Sequence, residues 1–248
     1  MTATGKAFSV VSRRPAEPRE NRLLASLLSS DYESLEPHLE FVHLTAGAVL
    51  HGPHSRTSYC YFLGDTLVSL LSTTEHGLSV AAGLVGVEGV TGVVAAILDP
   101  RLLPHRTLVL VAGNATRIPR ETLRLWAGRN TSLRRPFLRF AHAMFVQLVQ
   151  TSACNRFHDT KERLARVLLL VQDRSKGRIL PFTQESLAGL VGTDRVSVTR
   201  AAQDMRRANL IGYSRGKLTI LDRQGLESTA CECYGIIGSA YKDMLSPQ

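Results

Sequence analysis

The sequence predicts an α+β fold in three parts: an N-terminal antiparallel β-domain, a long connecting helix and a C-terminal winged helix-turn-helix. Three observations predict it. Short apolar runs separated by turn residues occupy positions 41–118, apolar residues recur at intervals of three and four after position 131, and two amphipathic helices flank a glycine between 183 and 205. We expect a β-domain at 21–125, the long helix at 126–155 and the winged helix at 156–248, after a flexible N-terminal arm at 1–20.

Composition restricts the class of protein. A chain of 248 residues is long enough for one large or two medium domains, and its formal net charge of +9 favours an anionic partner. The charge is concentrated between Arg195 and Arg223, where seven basic residues stand against two acidic ones. No apolar run approaches the roughly 20 residues of a membrane-spanning helix, and the N-terminus lacks an apolar leader with a cleavage site. We therefore expect a cytoplasmic protein with no membrane partner.

The β-domain should begin with helices, since leucines at helical spacing form two short apolar stripes between Asn21 and Leu39. From Phe41 to Ile118 the succession of short apolar runs and turns predicts an antiparallel sandwich or barrel. A short helix is expected within this region over Val90 to Leu98, and the Asp99-Pro100 pair should end it.

A long helix follows the β-domain. Its apolar residues recur at helical spacing, and at about 20 residues it would be about 30 Å long, enough to join two domains. The apolar seam could pack on its own β-domain or on a second copy of the chain. The heptad-like spacing of Phe137, Phe140 and Met144 favours the second arrangement, a homodimer seam.

The most informative stretch runs from Thr183 to Arg200. Thr183 and Asp194 are predicted N-caps of two short helices, and Gly192 supplies the positive φ that a tight turn between them needs. A β-hairpin is predicted directly afterwards, turning at Arg215-Gly216, and a final helix is expected to cover it. Helix, turn, helix and hairpin make a winged helix, whose second helix fits the DNA major groove. The inward face of that helix should hold Val198, Ala201, Ala202 and Met205.

This layout resembles the Crp/Fnr family of bacterial transcription regulators over nearly the whole chain. The most specific segment is TQESLAGLVGTDRVSVTRAAQDMRRANLI, and TACECYG resembles a tail found in one branch of the family. The resemblance implies that the N-terminal domain is a jelly-roll-like β-roll that senses an effector. It also implies a homodimer, paired through the long helix, that binds a two-fold symmetric operator in double-stranded DNA and has RNA polymerase as a partner.

The resemblance also implies which residues contact DNA. Arg200 can bond O6 and N7 of guanine with both arms of its guanidinium. Val196 stands where family members often carry a glutamate, and a valine can only touch a thymine methyl group or pack inward. Hydroxyl groups in the set serve either DNA contact or local capping. The predicted DNA-binding residues are Arg195, Val196, Ser197, Thr199, Arg200, Thr183 and Gln184.

The effector pocket of cyclic-nucleotide-binding relatives has two motifs, a Gly-Glu pair for the ribose and an Arg-Ser or Arg-Thr pair for the phosphate. The nearest matches here are Glu88-Gly89 and Arg106-Thr107. Val87 replaces the glycine before the glutamate, and an apolar run with two prolines lengthens the gap between the motifs. Glu88 and Arg106 could instead form an internal salt bridge. We therefore expect an effector other than cyclic AMP, or none, and no bound cofactor.

The cysteines are too few and too scattered for a disulfide framework. The CEC pair lacks the C-x2-C spacing of zinc ribbons. Reduced, buried thiols are therefore expected, with no metal site, and an iron–sulfur or redox sensor is the alternative. The four are Cys60, Cys154, Cys231 and Cys233.

A third class of function is suggested by His51 and His54, which lie three residues apart on the predicted β-domain. Such a pair invites comparison with cupin-like metal-dependent enzymes. No acidic residue follows at a suitable spacing, and the sequence holds no recognisable nucleophile motif or phosphate-binding loop. Surface histidines are the better interpretation, and we expect no enzyme activity.

Overall fold

The computed structural model describes residues 8–10, 20–53, 55–98, 103–175, 179–214 and 216–246. Most of the expected N-terminal arm and the Asp99-Pro100 pair lie outside this part of the chain. Within the arm, Phe8–Val10 (strand β1) pairs antiparallel with residues 42–44. This piece is therefore an edge strand, and the prediction of a loose arm is wrong for it.

The β-domain starts with the predicted helix pair. Asn21 caps the first helix by accepting from the N–H of Leu24, and its amide donates to the carbonyls of Leu63 and Gly89 at 2.9 and 2.8 Å. This buried amide fastens the helix to the β-strands behind it. The elements here are α1 (Arg22–Ala25), α2 (Ser29–Leu35), a 3-10 turn (Glu36–His38), β2 (Glu40–Leu44), β3 (Val49–His51), β4 (Tyr59–Leu63), β5 (Leu67–Thr73), β6 (Ser79–Val85), β7 (Val90–Thr91), α3 (Val93–Leu98), β8 (Arg106–Val111) and β9 (Gly113–Pro119).

Two antiparallel sheets form this domain, as predicted. One has the strand order β1-β2-β9-β4-β7 and the other the order β3-β8-β5-β6. Large apolar side chains such as Phe62, Leu67 and Ile118 are fully buried and belong to one core cluster. The non-consecutive strand order is that of a jelly-roll-like β-roll.

Two helices follow, α4 (Arg120–Arg129) and the long α5 (Thr131–Phe157). The residues predicted to form a homodimer seam on α5 instead pack inside the chain. The ring of Phe137 lies 6.1 Å from that of Phe62, and the ring of Phe140 lies 6.3 Å from that of Tyr241. Met144 is partly buried against the same core. Helical spacing predicted an apolar face correctly, but it could not say which surface covers that face.

The exposed face of α5 carries a second apolar stripe. Leu138, Phe145 and Val149 are 42%, 62% and 52% exposed. They are separated by seven and four residues, so they lie on one side of the helix. A helix in a globular domain rarely presents two apolar sides, because one side normally meets water.

The first helix of the C-terminal domain has a capping box at its N-terminus. The side chains of Asp159 and Glu162 each accept a hydrogen bond from the other residue's backbone N–H. The last helix of this domain packs against α5, so the expectation that it covers the hairpin is wrong. The elements are α6 (Thr160–Arg174), β10 (Ile179–Leu180), α7 (Gln184–Val191), α8 (Arg195–Arg207), β11 (Ile211–Ser214), β12 (Lys217–Ile220), α9 (Arg223–Thr229) and α10 (Cys233–Leu245). Among the described residues, no helix combines the length and apolar character that crossing a bilayer requires.

Candidate nucleic-acid interface

Helices α7 and α8 and the turn between them form as predicted. The hydroxyl of Thr183 accepts from the N–H of Ser186 at 3.1 Å, and the carboxylate of Asp194 accepts from the N–H of Ser197 at 2.9 Å. Gly192 ends α7 in the left-handed region, with φ of 72°. A side chain there would be strained, so the glycine makes the sharp turn that sets α8 across α7.

Arg163 of α6 holds this turn from inside the domain. Its guanidinium donates to the carbonyl of Gly192 at 2.7 Å and to the carbonyl of Val191. Arg163 is buried, and burial lowers its pKa. The two carbonyls at the end of α7, which have no partner inside their own helix, are thereby satisfied by a charged donor.

One face of α8 is free to meet a partner. Arg195 and Arg200 are exposed, and Val196 is 68% exposed. The opposite face is buried in the domain, as predicted, and comprises Val198, Ala201, Ala202 and Met205. Of the two roles considered for Val196, the exposed side chain is compatible with contact to a thymine methyl group and not with inward packing.

The predicted hydroxyl groups make local bonds. Ser197 donates to the carboxylate of Asp194 at 2.7 Å, and Thr199 donates to the carbonyl of Arg195 at 2.7 Å. Thr199 also lies 3.5 Å from the side-chain oxygen of Gln184, at the limit of hydrogen-bond length. Both hydroxyl groups therefore make local hydrogen bonds within the protein.

The structure adds a residue that the sequence reasoning missed. Gln203 is exposed and follows Arg200 by three positions, so both lie on the same face of α8 as Val196. The sequence contains the information needed to find Gln203, because Val196, Arg200 and Gln203 follow one another at helical spacing. A glutamine in this position can bond N6 and N7 of adenine.

The predicted wing is present beside α8. Strands β11 and β12 pair antiparallel, and β10 adds a third strand. The hydroxyl of Tyr213 donates to the carbonyl of Phe182 at 2.9 Å, which ties the wing to the segment before α7. Gly216 has φ of 74°, as a hairpin turn requires, whereas its neighbour Arg215 lies outside the described residues.

The two effector motifs lie in different surroundings. Glu88 is buried, and its carboxylate lies 3.2 Å from Nε of Arg174 in α6. The alternative pairing of Glu88 with Arg106 is therefore wrong. Arg106 and Thr107 lie on β8, where Arg106 Nε and the Thr107 hydroxyl have no hydrogen-bond partner within the described part of the chain.

Close packing against α5 explains why position 89 is a glycine. A Cβ atom at this position would lie 2.3 Å from Cε2 of Phe140. Only glycine lets the β6–β7 turn approach α5 this closely. Glu88 and Gly89 are thus both explained by contacts between the β-domain and the helices.

His51 does not support the cupin-like alternative. It is buried, so the expectation of a surface histidine is wrong for it, and its Nε2 lies 3.1 Å from the hydroxyl of Thr91. Burial, together with the charge of His105, lowers the pKa of His51 to about 4. His54 lies outside the described residues, and His51 does not belong to the group of side chains that could hold a metal in the part described.

Three cysteines that the sequence analysis treated as scattered converge with a histidine. Four atoms that could bind a metal, three sulfurs and one imidazole nitrogen, lie within 4.8 Å of one another. They belong to Cys154, His158, Cys231 and Cys233. The hydrogen bond between Cys154 and Cys231 lowers the pKa of the Cys154 thiol and raises that of Cys231. All three are free and buried, as predicted, but the prediction that they are scattered is wrong.

Cys60 fits the original prediction. It is fully buried in the β-domain, and burial raises its pKa to about 12.

Comparison with known proteins identifies the C-terminal region. Residues 162–229 match the family described as the Crp-like helix-turn-helix domain. The chain carries a Crp-like helix-turn-helix domain. This domain spans α6 through α9, so it includes the turn held by Arg163 and the exposed face of α8. No curated protein matches the chain.

Solved structures share the fold along most of the chain. FixK2 from Bradyrhizobium japonicum has a TM-score of 0.67 at 13% identity, over 78% of this chain and 98% of its own. The c-di-GMP-responsive global regulator CLP of Xanthomonas campestris has a TM-score of 0.61 at 14% identity, over 79% and 100%. A CRP-family transcriptional regulator from Thermus thermophilus has a TM-score of 0.59 at 19% identity, over 76% and 95%. The β-domain, long helix and C-terminal domain of this chain therefore share the fold of these solved regulators.

Proposed function

We propose that the chain is a sequence-specific transcription regulator that binds a two-fold symmetric operator as a homodimer. The observation that carries this proposal is the exposed face of α8, where Arg195 and Arg200 stand beside Val196 with no acidic side chain paired to them among the described residues. Arginines on such a face neutralise phosphates and read guanine in the major groove. The wing and the N-terminus of α7, with Thr183 and Gln184, would contact the backbone.

The homodimer is proposed through the exposed stripe of α5 and not through Phe137, Phe140 and Met144. Leu138, Phe145 and Val149 form a stripe that two copies of α5 could bury against each other, as in a coiled coil. Two α8 helices related by a two-fold axis would then enter successive major grooves. RNA polymerase is the proposed further partner of the DNA-bound dimer.

The proposed effector, where one acts, is a small molecule other than cyclic AMP. What supports this is the position of Glu88, whose carboxylate is buried and pairs with Arg174 of α6 through Oε1. Calorimetry with cyclic AMP should therefore give no tight binding. Micromolar binding that Arg106→Ala abolishes would overturn this part of the proposal.

Selection of DNA fragments by the purified protein tests the main proposal. The selected sites should be two-fold symmetric, and binding should weaken steeply with salt because arginines displace counterions from the phosphates. Arg200→Ala should cost about 1–3 kcal/mol of specific binding and relax the preference at one base pair. Arg129→Ala, an exposed arginine on α4, is the matched control and should bind as the parent does. Equal affinity for selected and random DNA, or a loss shared by both variants, would contradict the assignment.

A further inference from the structure

The cysteine–histidine cluster lies where the long helix meets the C-terminal domain. Cys154 and His158 are one turn apart at the end of α5, so their side chains share a face. Cys231 and Cys233 come from the segment that enters α10. The Cys154 and Cys231 sulfurs are 3.5 Å apart across 77 positions of sequence, and Cys233 Sγ is 3.5 Å from Nδ1 of His158.

These separations match those around one tetrahedral ion. Zinc binds sulfur at about 2.3 Å and imidazole nitrogen at about 2.0–2.1 Å. Tetrahedral angles then place two sulfurs about 3.8 Å apart, and a sulfur and a nitrogen about 3.5 Å apart. The observed distances of 3.5 Å for both pairs are close to these values. They are much longer than the roughly 2.0 Å of a disulfide.

Two side chains next to the cluster hold its members in place, as hydrogen-bond partners of metal ligands commonly do. Nε2 of His158 lies 3.2 Å from the carboxylate of Glu232, while Nδ1 faces Cys233. A carboxylate behind the imidazole fixes the ring and increases the basicity of the other nitrogen. The side-chain amide of Gln150 donates to Cys233 Sγ at 3.2 Å, which orients the third sulfur.

We propose that Cys154, His158, Cys231 and Cys233 form a closed Cys3His site for a single zinc-like divalent cation. Three soft thiolates and one imidazole are the ligand set that favours Zn²⁺ over hard cations such as Mg²⁺ or Ca²⁺. The site holds four protein ligands and leaves no open position, which is typical of a structural ion and not of a catalytic one.

The position of the site gives the ion a mechanical role. The site joins the last turn of α5 to the start of α10. His158, one of its ligands, belongs to the short connection between α5 and α6. The bound ion therefore fastens the C-terminal domain to the long helix. Removal of the ion frees that connection, so thermal stability and the DNA affinity of the full chain should both fall.

Metal titration of the full-length protein tests the site. The chain is purified under reducing conditions, stripped with a chelator, and titrated with Zn²⁺ in competition with a chromophoric chelator. One ion per chain should bind, and Tm should rise. Co²⁺ in the same position should give the intense visible bands of tetrahedral coordination together with sulfur-to-metal charge transfer in the near ultraviolet.

Variants distinguish this site from other thiols. Cys233→Ser should weaken Zn²⁺ binding by more than about 100-fold, since even loss of an outer partner costs about 10–100-fold. Glu232→Gln, which removes only the carboxylate behind His158, should weaken it by about 10-fold and keep the tetrahedral Co²⁺ spectrum. Cys60→Ser, in the core of the β-domain, should leave Zn²⁺ affinity unchanged. Circular dichroism of each stripped variant shows that the comparison is made on folded chains.

Three results would overturn the proposal. The first is a folded, reduced chain that takes up no stoichiometric Zn²⁺. The second is equal Zn²⁺ affinity in the parent and in Cys233→Ser. The third is an iron–sulfur chromophore after anaerobic purification, which would mean a cluster in place of a single ion. None of these results depends on DNA binding, so they are separate from the test of the proposed function.

Discussion

Arg174 of α6 and Glu88 of the β-domain form an ion pair across the two domains, with Nε and Oε1 3.2 Å apart. Both side chains are at most 5% exposed. The guanidinium also donates to the carbonyl of Leu84 at 2.5 Å and to Gln147 of α5, and it lies 4.5 Å from the centre of the Tyr241 ring. One buried cation therefore connects the β-domain, the long helix, α6 and α10.

Loss of this cation should be costly. Arg174→Met leaves the Glu88 carboxylate buried without its partner, and breaking one side of a buried pair costs about 3–5 kcal/mol. Arg207→Met removes the exposed pair with Asp204 on α8 and should cost less than about 1 kcal/mol. Urea unfolding of both variants measures the free energies. Similar small losses for the two would contradict the role of Arg174.

Gln203 should contribute to sequence preference. Gln203→Ala removes a side chain able to form two hydrogen bonds with N6 and N7 of adenine, so it should cost about 1–3 kcal/mol at one base pair. Binding to operators altered at single positions measures this cost. Gln224→Ala, an exposed glutamine on α9, is the matched control. A uniform loss across all operator positions would assign Gln203 to the phosphate backbone.

The exposed stripe of α5 should control self-association. Phe145→Asp places a charge where the proposed dimer buries an aromatic ring, and it should raise the dimer dissociation constant by at least about 100-fold, equivalent to about 3 kcal/mol. Light scattering over a range of concentrations measures this. Leu125→Asp, at an exposed apolar position of α4, is the control. A dimer that survives Phe145→Asp would place the interface elsewhere.

His51 should make stability depend on pH. Its folded-state pKa of about 4 is below the ordinary value of 6.5, because burial and the charge of His105 oppose protonation. The unfolded chain therefore binds the proton first as pH falls, and stability decreases from about pH 6.5 down to about pH 4. The total loss is roughly 3 kcal/mol.

The variant His51→Gln tests this dependence. It should unfold with a flatter pH profile over that range, since the buried titrating group is gone. Thermal or urea unfolding at several pH values measures the profile. His76→Gln, at an exposed turn, controls for the loss of a histidine as such. An identical slope in the parent and His51→Gln would refute the assignment.

Local chemistry made the helix-turn-helix predictable. Thr183, Gly192 and Asp194 each act within a few residues of their own position, through a cap or a backbone angle. The sequence carries such signals in full. The same holds for the buried face of α8, which follows from helical spacing alone.

Contacts between distant segments were not predictable in the same way. Phe137 and Phe145 are both apolar and both at helical spacing, so the sequence cannot tell which of them meets the β-domain and which faces out. Glu88 matched an effector motif, yet its partner Arg174 comes from the other domain. Cys154 and Cys231 become neighbours only because α10 folds back along α5.

The hydrogen bonds from Arg163 to the end of α7 restrict how the DNA-reading surface can be reoriented. Because the Arg163 guanidinium donates to two carbonyls of the turn, α8 cannot rotate relative to α6 without breaking those hydrogen bonds. His158 and Asp159 have extended backbone between α5 and α6, so the angle between α6 and the long helix is set at these two residues. A change of backbone angle there would move α6, the turn and α8 together, as one body.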